Sequence, residues 1–168
     1  MRFTESVISR YSCRSYKDKE ILKEDLDLIL ECARLAPSAA NRQPWKIYII
    51  KNENIKKKIC ESYSGEWLKT APLIAVFCGL KNNNWKRLDG ADYLLCDITI
   101  VADHFIYAAH ELGIGTCWVA AFNEQKVVET LNLSENEQPL ILVPLGYPDD
   151  KAPAEKKRKT IEEICEFL

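Results

Sequence analysis

The sequence predicts a single α+β domain, and three observations carry that expectation. The chain has 168 residues, enough for one sizeable core. It is 47% hydrophobic and 29% charged, an ordinary globular balance that excludes long disorder, collagen and coiled-coil arrays. Apolar runs of strand length are interspersed with segments of helical period, without the strict alternation of a doubly wound parallel sheet. No internal repeat or low-complexity block divides the chain, so residues 1–168 read as one domain.

The elements follow in order. Thr4 is a candidate cap for a short helix ending near Arg10, and residues 11–20 are polar, a loop or short strand. From about Asp25, Leu26, Ile29, Leu30 and Ala33 recur at i, i+3, i+4 and i+7, the amphipathic helical spacing, and Pro37 stops that helix. WKIYII at 45–50 reads as a strand. Asn54 is a candidate cap for a second helix with Ile55 and Ile59 on one face. PLIAVFCG at 72–79 is a continuous apolar run, as expected for a strand buried on both faces.

The segment 91–112 is the longest helical stretch, with apolar residues over a wide arc, and Gly113 is a suitable stop. Asp92, Asp97, Asp103, His104, His110 and Glu111 argue against a membrane span there. GTCWVAA at 115–121 reads as a third strand. Asn123 caps a helix through Leu131, and PLILVPLGY at 139–147 is a fourth strand whose Pro144 points to an edge or a bulge. Thr160 and Glu163 have capping-box spacing ahead of a last helix, IEEICEF.

Charge and cysteine usage narrow the function classes. A net charge of −2 with mixed signs leaves no whole-chain footprint for nucleic acid. The nearest of the seven cysteines are 18 positions apart, so no C-x-x-C redox pair or zinc knuckle exists. Reduced thiols in a cytoplasmic protein are expected. The N-terminal MRFTESVISRYSC contains no uninterrupted apolar h-region, so no signal peptide is expected.

Four stretches are candidates for chemistry. Arg10, Ser12 and Arg14 alternate, so an extended backbone would send all three to one side, where two guanidiniums and a hydroxyl suit a phosphate; a solvated basic strand is the competing reading. APSAANRQPW at 36–45 sets small residues and the amides Asn41 and Gln43 between two prolines, an edge that a flat ligand can approach; an ordinary helix-to-strand connection is the alternative. Gly113 and Gly115 form a G-x-G after a helix, weak as a phosphate signal because the dinucleotide fingerprint needs a strand first. Lys151, Lys156, Lys157, Arg158 and Lys159 form a basic run, more ordinarily a solvated surface. Asp97, His104 and Glu111 share a helix face but are too far apart for one metal ion, and a polar stripe at a subunit contact or the surface is expected there.

The order of these stretches is more specific than any one of them. SRYSCRSYKD, APSAANRQPW, ELGIGTCWVAAF and LVPLGYPDD with its basic tail resemble the nitroreductase family of FMN-dependent oxidoreductases, over residues 5 to 165. The resemblance implies an α+β sandwich with a mainly antiparallel sheet flanked by helices. It also implies an intertwined homodimer with two FMN molecules at the interface. Arg10, Tyr11 and Ser12 match the R-x-S segment that holds the FMN phosphate and ribityl chain, and Arg14 matches a basic position beside the pyrimidine edge. Pro37, Ser38, Ala39 and Asn41 match the stretch that packs on the flavin from the other subunit. Trp118, Val119, Ala120 and Ala121 match the strand beside the isoalloxazine, where the Ala120 backbone N–H points at N5. Lys156 and Arg158 match a basic pair that closes on the phosphate.

The implied activity is electron transfer from NAD(P)H, through bound FMN, to a small acceptor such as a nitroaromatic or a quinone by ping-pong kinetics. No catalytic side chain is required, because the flavin carries the redox chemistry. A membrane or nucleic-acid partner is not expected. Two departures stand out: KNNNWKRLDG at 81–90 is short where larger members carry a substrate-covering insertion, and Ala120 stands where some members have an acid. The alternative reading is a flavin-binding protein of the same fold that is not an NAD(P)H reductase: a flavin carrier, a flavin-consuming protein, or one using another electron donor. A thiol-based redox or structural protein is the remaining class.

Overall fold

The computed structural model describes residues 3–152 and 155–168. Its core is a four-stranded antiparallel sheet in the order β1-β2-β4-β3, where β1 is Trp45–Ile50, β2 Leu73–Leu80, β3 Gly115–Thr116 and β4 Glu137–Gly146. The helices are α1 (Phe3–Ser9), α2 (Lys23–Arg34), α3 (Glu53–Cys60), α4 (Leu94–Glu111), α5 (Glu124–Leu131) and α6 (Ile161–Ile164). The α+β class with an antiparallel sheet is as the sequence predicts.

Alternation along the central strands explains the layering. Ala75 and Phe77 of β2 and Ile141, Val143 and Leu145 of β4 face one side, where Leu26, Ile29 and Ala33 of α2 and Ile98, Val101, Ala102 and Phe105 of α4 pack. Phe77 and Phe105 meet edge to face at 5.3 Å. Ile74, Val76 and Cys78 of β2 and Leu142 of β4 face the other side, against Ile59 and Cys60 of α3 and Val127 of α5. With helices on both faces, the strand at 73–80 is buried throughout its middle, as its unbroken apolar run requires. Each large side chain so buried contributes about 1.5–3 kcal/mol. Among the described residues no helix is long and apolar enough to cross a membrane.

Several local expectations are corrected. α1 begins by Phe3, so Thr4 lies inside it rather than capping it. The cap of α3 is Asn52, whose side chain accepts the N–H groups of Asn54 and Ile55. Asn123 and the Thr160–Glu163 capping box are as expected, although α6 is a single turn. β4 is an interior strand, not an edge, and the sheet's irregularity falls between Phe77 and Cys78, where Pro139 and Ile141 are the partners and Leu140 is extra.

Pro144 acts elsewhere. The mutual bonds of Leu142 and Val119 turn Leu142 toward the β3 side, so Pro144, two residues on, also turns there and has no N–H to give. The expected strand at 115–121 is therefore only the pair Gly115–Thr116, with one isolated bridge at Val119.

A candidate anion-binding site

The site begins with the segment that leaves α1. Its backbone is stitched to β3: Ser12 forms a parallel bridge with Thr116, and the Cys13 N–H donates to the Thr116 carbonyl at 2.9 Å. Further on, the Lys17 N–H donates to the Tyr147 carbonyl at 2.8 Å, and the Asp149 N–H to the Ser15 carbonyl at 2.9 Å. The first segment is thus laid between the sheet edge and the chain that leaves β4.

This arrangement assembles a pocket of about 440 Å³, within the range of small-molecule sites. Arg10, Tyr11, Ser12 and Arg14 line it from one side, and Asp150, Lys151, Glu155, Lys156, Lys157 and Arg158 from the other. The Arg10 guanidinium lies 6.0 Å from the Tyr107 ring centre, and that of Arg14 lies 5.9 Å from the Trp67 ring centre. The Lys156 ammonium donates to the Val7 carbonyl at 2.9 Å, which fixes the basic tail against α1.

The electrostatics fit an anion. Among the described residues none of Arg10, Arg14, Lys156 and Arg158 has a carboxylate at ion-pair distance. Burial, with Arg10 and Arg158 as neighbours, lowers the Lys156 pKa; burial, with Arg10 and Lys156, lowers that of His110, while Glu111 opposes the shift. The cations therefore repel one another until an anion enters. Thr116, on the strand bridged to Ser12, keeps a buried Oγ1 with no hydrogen-bond partner among the described residues.

Asp150 is the residue that sequence reasoning missed, and Asp97 is one that it assigned to a polar stripe. The Asp150 carboxylate accepts from the Tyr11 hydroxyl at 2.8 Å, the Cys13 thiol at 3.2 Å and the Arg14 backbone N–H at 2.8 Å. Burial alone would raise its pKa, but these donors together hold it below the usual carboxylate value. The only local signal was an acid at the head of a basic run, because its partners lie more than a hundred positions away. Asp97 is 2% exposed, not part of a surface or subunit-contact stripe, and its Oδ1 accepts the Ala39 N–H at 2.9 Å.

The structure does not bring every expected site residue to this pocket. Pro37, Ser38, Ala39 and Asn41 form a loop at the N-terminal end of α4, held by Asp97. The pocket lies at the other end of α4, where His110 meets Ser9 and Glu111 meets Ser6. At 1.5 Å per residue, those ends are about 20 Å apart. The loop is unusual in its own right: Ala40, Asn41 and Gln43 all have positive φ, which non-glycine residues adopt at a cost. Its Ser38 Oγ accepts the Gln43 N–H at 2.9 Å and holds the turn closed.

Trp118, Val119, Ala120 and Ala121 follow the strand that Ser12 bridges at Thr116, but none of them lines the pocket. Val119 is buried in the second core, whereas Trp118, Ala120 and Ala121 are exposed, and the Ala120 N–H makes no hydrogen bond among the described residues. Neither glycine of the G-x-G cradles the pocket. Gly113 ends α4 with φ +73°, and Gly115 allows close packing, since a Cβ there would lie 2.8 Å from the Cys13 sulfur.

A three-layered α+β protein, its sheet between two helix layers and with a cationic pocket at the sheet edge, is the class these features define. The model of the Nitroreductase family matches residues 7–72 and 61–147. A nitroreductase family protein from Clostridium difficile superposes with a TM-score of 0.92 at 35% identity, over 99% of this chain and 98% of that one. A second solved structure from that organism, described as an FMN-dependent nitroreductase, has a TM-score of 0.81 at 28% identity over 94% of each chain. An FMN reductase [NAD(P)H] of Bacillus subtilis is 30% identical over 95% of this chain and 70% of its own length. An iodotyrosine deiodinase of Thermotoga neapolitana is 24% identical over 90% and 91%. The chain belongs to the nitroreductase family.

Proposed function

We propose that this chain is an FMN-dependent oxidoreductase that passes electrons from NAD(P)H to a small acceptor, a nitroaromatic or a quinone, by a ping-pong cycle in one shared site. The observation that supports it most is the convergence of Arg10, Ser12 and Arg14 with Lys156 and Arg158 on one pocket. FMN carries a phosphate dianion, which needs several charge-assisted donors, and this pocket offers them without competing carboxylate ion pairs among the described residues. The names of the FMN-dependent relatives agree with that donor set.

When bound, FMN supplies the hydride and electron chemistry. The chain supplies position and field. Arg10, Ser12, Lys156 and Arg158 would hold the phosphate, and Lys157 lines the same wall. Arg14 would stand at the pyrimidine edge, where a fixed cation favours negative charge on the ring. Exposed Trp118, Ala120 and Ala121 would lie along the ring, with the unengaged Ala120 N–H as a donor, while Val119 anchors the stretch to Leu142. Pro37, Ser38, Ala39 and Asn41 are too distant to reach the pocket of their own chain, so a second copy supplies them and the working unit is a homodimer.

Spectroscopy tests the proposal. Protein reconstituted with FMN should be yellow, bleach anaerobically with NADH or NADPH, and regain colour with a nitroaromatic or quinone. Arg10→Ala should weaken FMN binding by about tenfold or more and remove the thermal stabilisation that FMN confers. Protein that ignores added FMN overturns the reading. Binding without bleaching by either nicotinamide moves the chain to the flavin-binding alternative.

A further inference from the structure

We propose that Asp150 is a positioning residue for the phosphate: its carboxylate pins the segment that leaves α1, strand-like at the Ser12 bridge to Thr116, so that Arg10, Ser12 and Arg14 line the site of the bound group. This rests on the FMN reading above. In an extended backbone, successive side chains leave on opposite sides. Arg10 still closes the last turn of α1 on the Ser6 carbonyl at 2.9 Å; beyond it Ser12 and Arg14 occupy one set of positions, Tyr11 and Cys13 the other. Both intervening side chains end on Asp150, the Tyr11 hydroxyl at 2.8 Å and the Cys13 thiol at 3.2 Å from Oδ1. The second oxygen accepts the Arg14 backbone N–H at 2.8 Å, and the Asp150 carbonyl takes a further contact from the Tyr11 hydroxyl at 3.2 Å. One carboxylate therefore fastens three residues of the segment, Tyr11 and Cys13 by their side chains and Arg14 by its backbone N–H.

An acid on the wall of an anion site needs an explanation. By Coulomb's law alone it weakens the binding of a dianion. Its placement makes sense only if the order it imposes outweighs that repulsion. Both oxygens are already engaged by donors, which spreads the charge away from the pocket, and the segment it fixes carries the Arg10 and Arg14 cations. Asp149 and Tyr147 add backbone bonds to Ser15 and Lys17, so the clamp ends a continuous seam rather than standing alone.

Two substitutions separate charge from clamp. Asp150→Ala removes both. Asp150→Asn keeps an oxygen for the Arg14 N–H, and the Tyr11 hydroxyl can turn to accept from the amide, so the clamp persists without the charge. The measurement is the dissociation constant of FMN and of riboflavin, which lacks the phosphate, for each protein by fluorescence titration. Asp150→Ala should bind FMN about tenfold more weakly with riboflavin little changed, so the preference for FMN collapses. Asp150→Asn should match or exceed the native affinity for FMN.

Equal losses for the two flavins in Asp150→Ala would show a general structural role and overturn the proposal. So would unchanged FMN affinity, or Asp150→Asn failing as Asp150→Ala does. Tyr11→Phe, which removes one donor only, carries the test if Asp150→Ala does not fold: its FMN preference should fall by about threefold, and an unchanged preference counts against the clamp. A native protein that binds neither flavin overturns the FMN reading itself, and the proposal with it.

Discussion

Cys13 shows how one residue can be sealed by its neighbours. Its side chain is fully buried, and burial together with the hydrogen bond to Asp150 pushes the thiol up to about 12. The thiolate is the reactive form, so this thiol is inert near neutral pH despite lying among the residues of the pocket. Cys96 and Cys165 are exposed. Iodoacetamide at pH 8 should label Cys96 and Cys165 in the native protein within minutes and leave Cys13 unlabelled until denaturant is added, as peptide mass mapping would read. Comparable labelling of Cys13 in the native state would mean that the 10–14 segment opens readily. Asp97 is the opposite case: a buried carboxylate with one oxygen on the Ala39 N–H and the other without a partner among the described residues, at the first turn of α4, where the helix dipole favours negative charge.

Among the elements, β1 and β4 are joined across β2 by polar side chains as well as by packing. Glu137 of β4 accepts from Lys46 at 2.8 Å, from the Tyr48 hydroxyl, and from the Ser134 hydroxyl at 2.8 Å. The Lys46 ammonium first, then the Tyr48 hydroxyl, bring its pKa from the ordinary 4.5 to about 2. A carboxylate held down in the folded state stabilises fully above its unfolded pKa, and that stability is lost as pH falls through the folded value. Glu137→Gln should therefore cost about 1 kcal/mol at pH 7. The difference from the native protein should shrink below pH 4.5 and vanish near pH 2. Urea unfolding at these pH values measures it, and a cost that persists at pH 2 would point to lost packing instead.

The elements also show what the sequence makes legible. β2, α4 and the cap at Asn123 were readable because their signals are local: an unbroken apolar run, a helical period, an amide before a helix. The alternation of Arg10, Ser12 and Arg14 was legible for the same reason. The truncation of β3 was not, because its cause, Pro144, lies on another strand. The burial of Asp97 and the clamp at Asp150 depend on partners 58 and 136 positions away, which no local pattern reveals.

For the whole molecule, the separation of the loop at 37–41 from the pocket lets the proposed two-copy site be tested by complementation. Arg10→Ala damages the pocket of one copy, and Ser38→Ala combined with Asn41→Ala damages the loop offered to the other. Each variant alone should bind FMN poorly. A mixed dimer should regain one intact site, built from the sound pocket of one copy and the sound loop of the other. Co-expressed and doubly tagged mixed dimers should retain close to one FMN per dimer, by absorbance after gel filtration. Mixed dimers with no more FMN than either parent would place each site within a single chain.

The seam between residues 12–13 and Thr116 has a consequence beyond ligand binding. β3 is the outer strand on its side of the sheet, and an outer strand with free backbone groups invites other chains to add to it. Here that border is covered by the segment that carries Arg10 and Arg14. On the proposed FMN site, cofactor loading and protection against aggregation would be joined: whatever loosens this segment uncovers a template for strand addition, so flavin-starved protein should be the form that clumps first on heating.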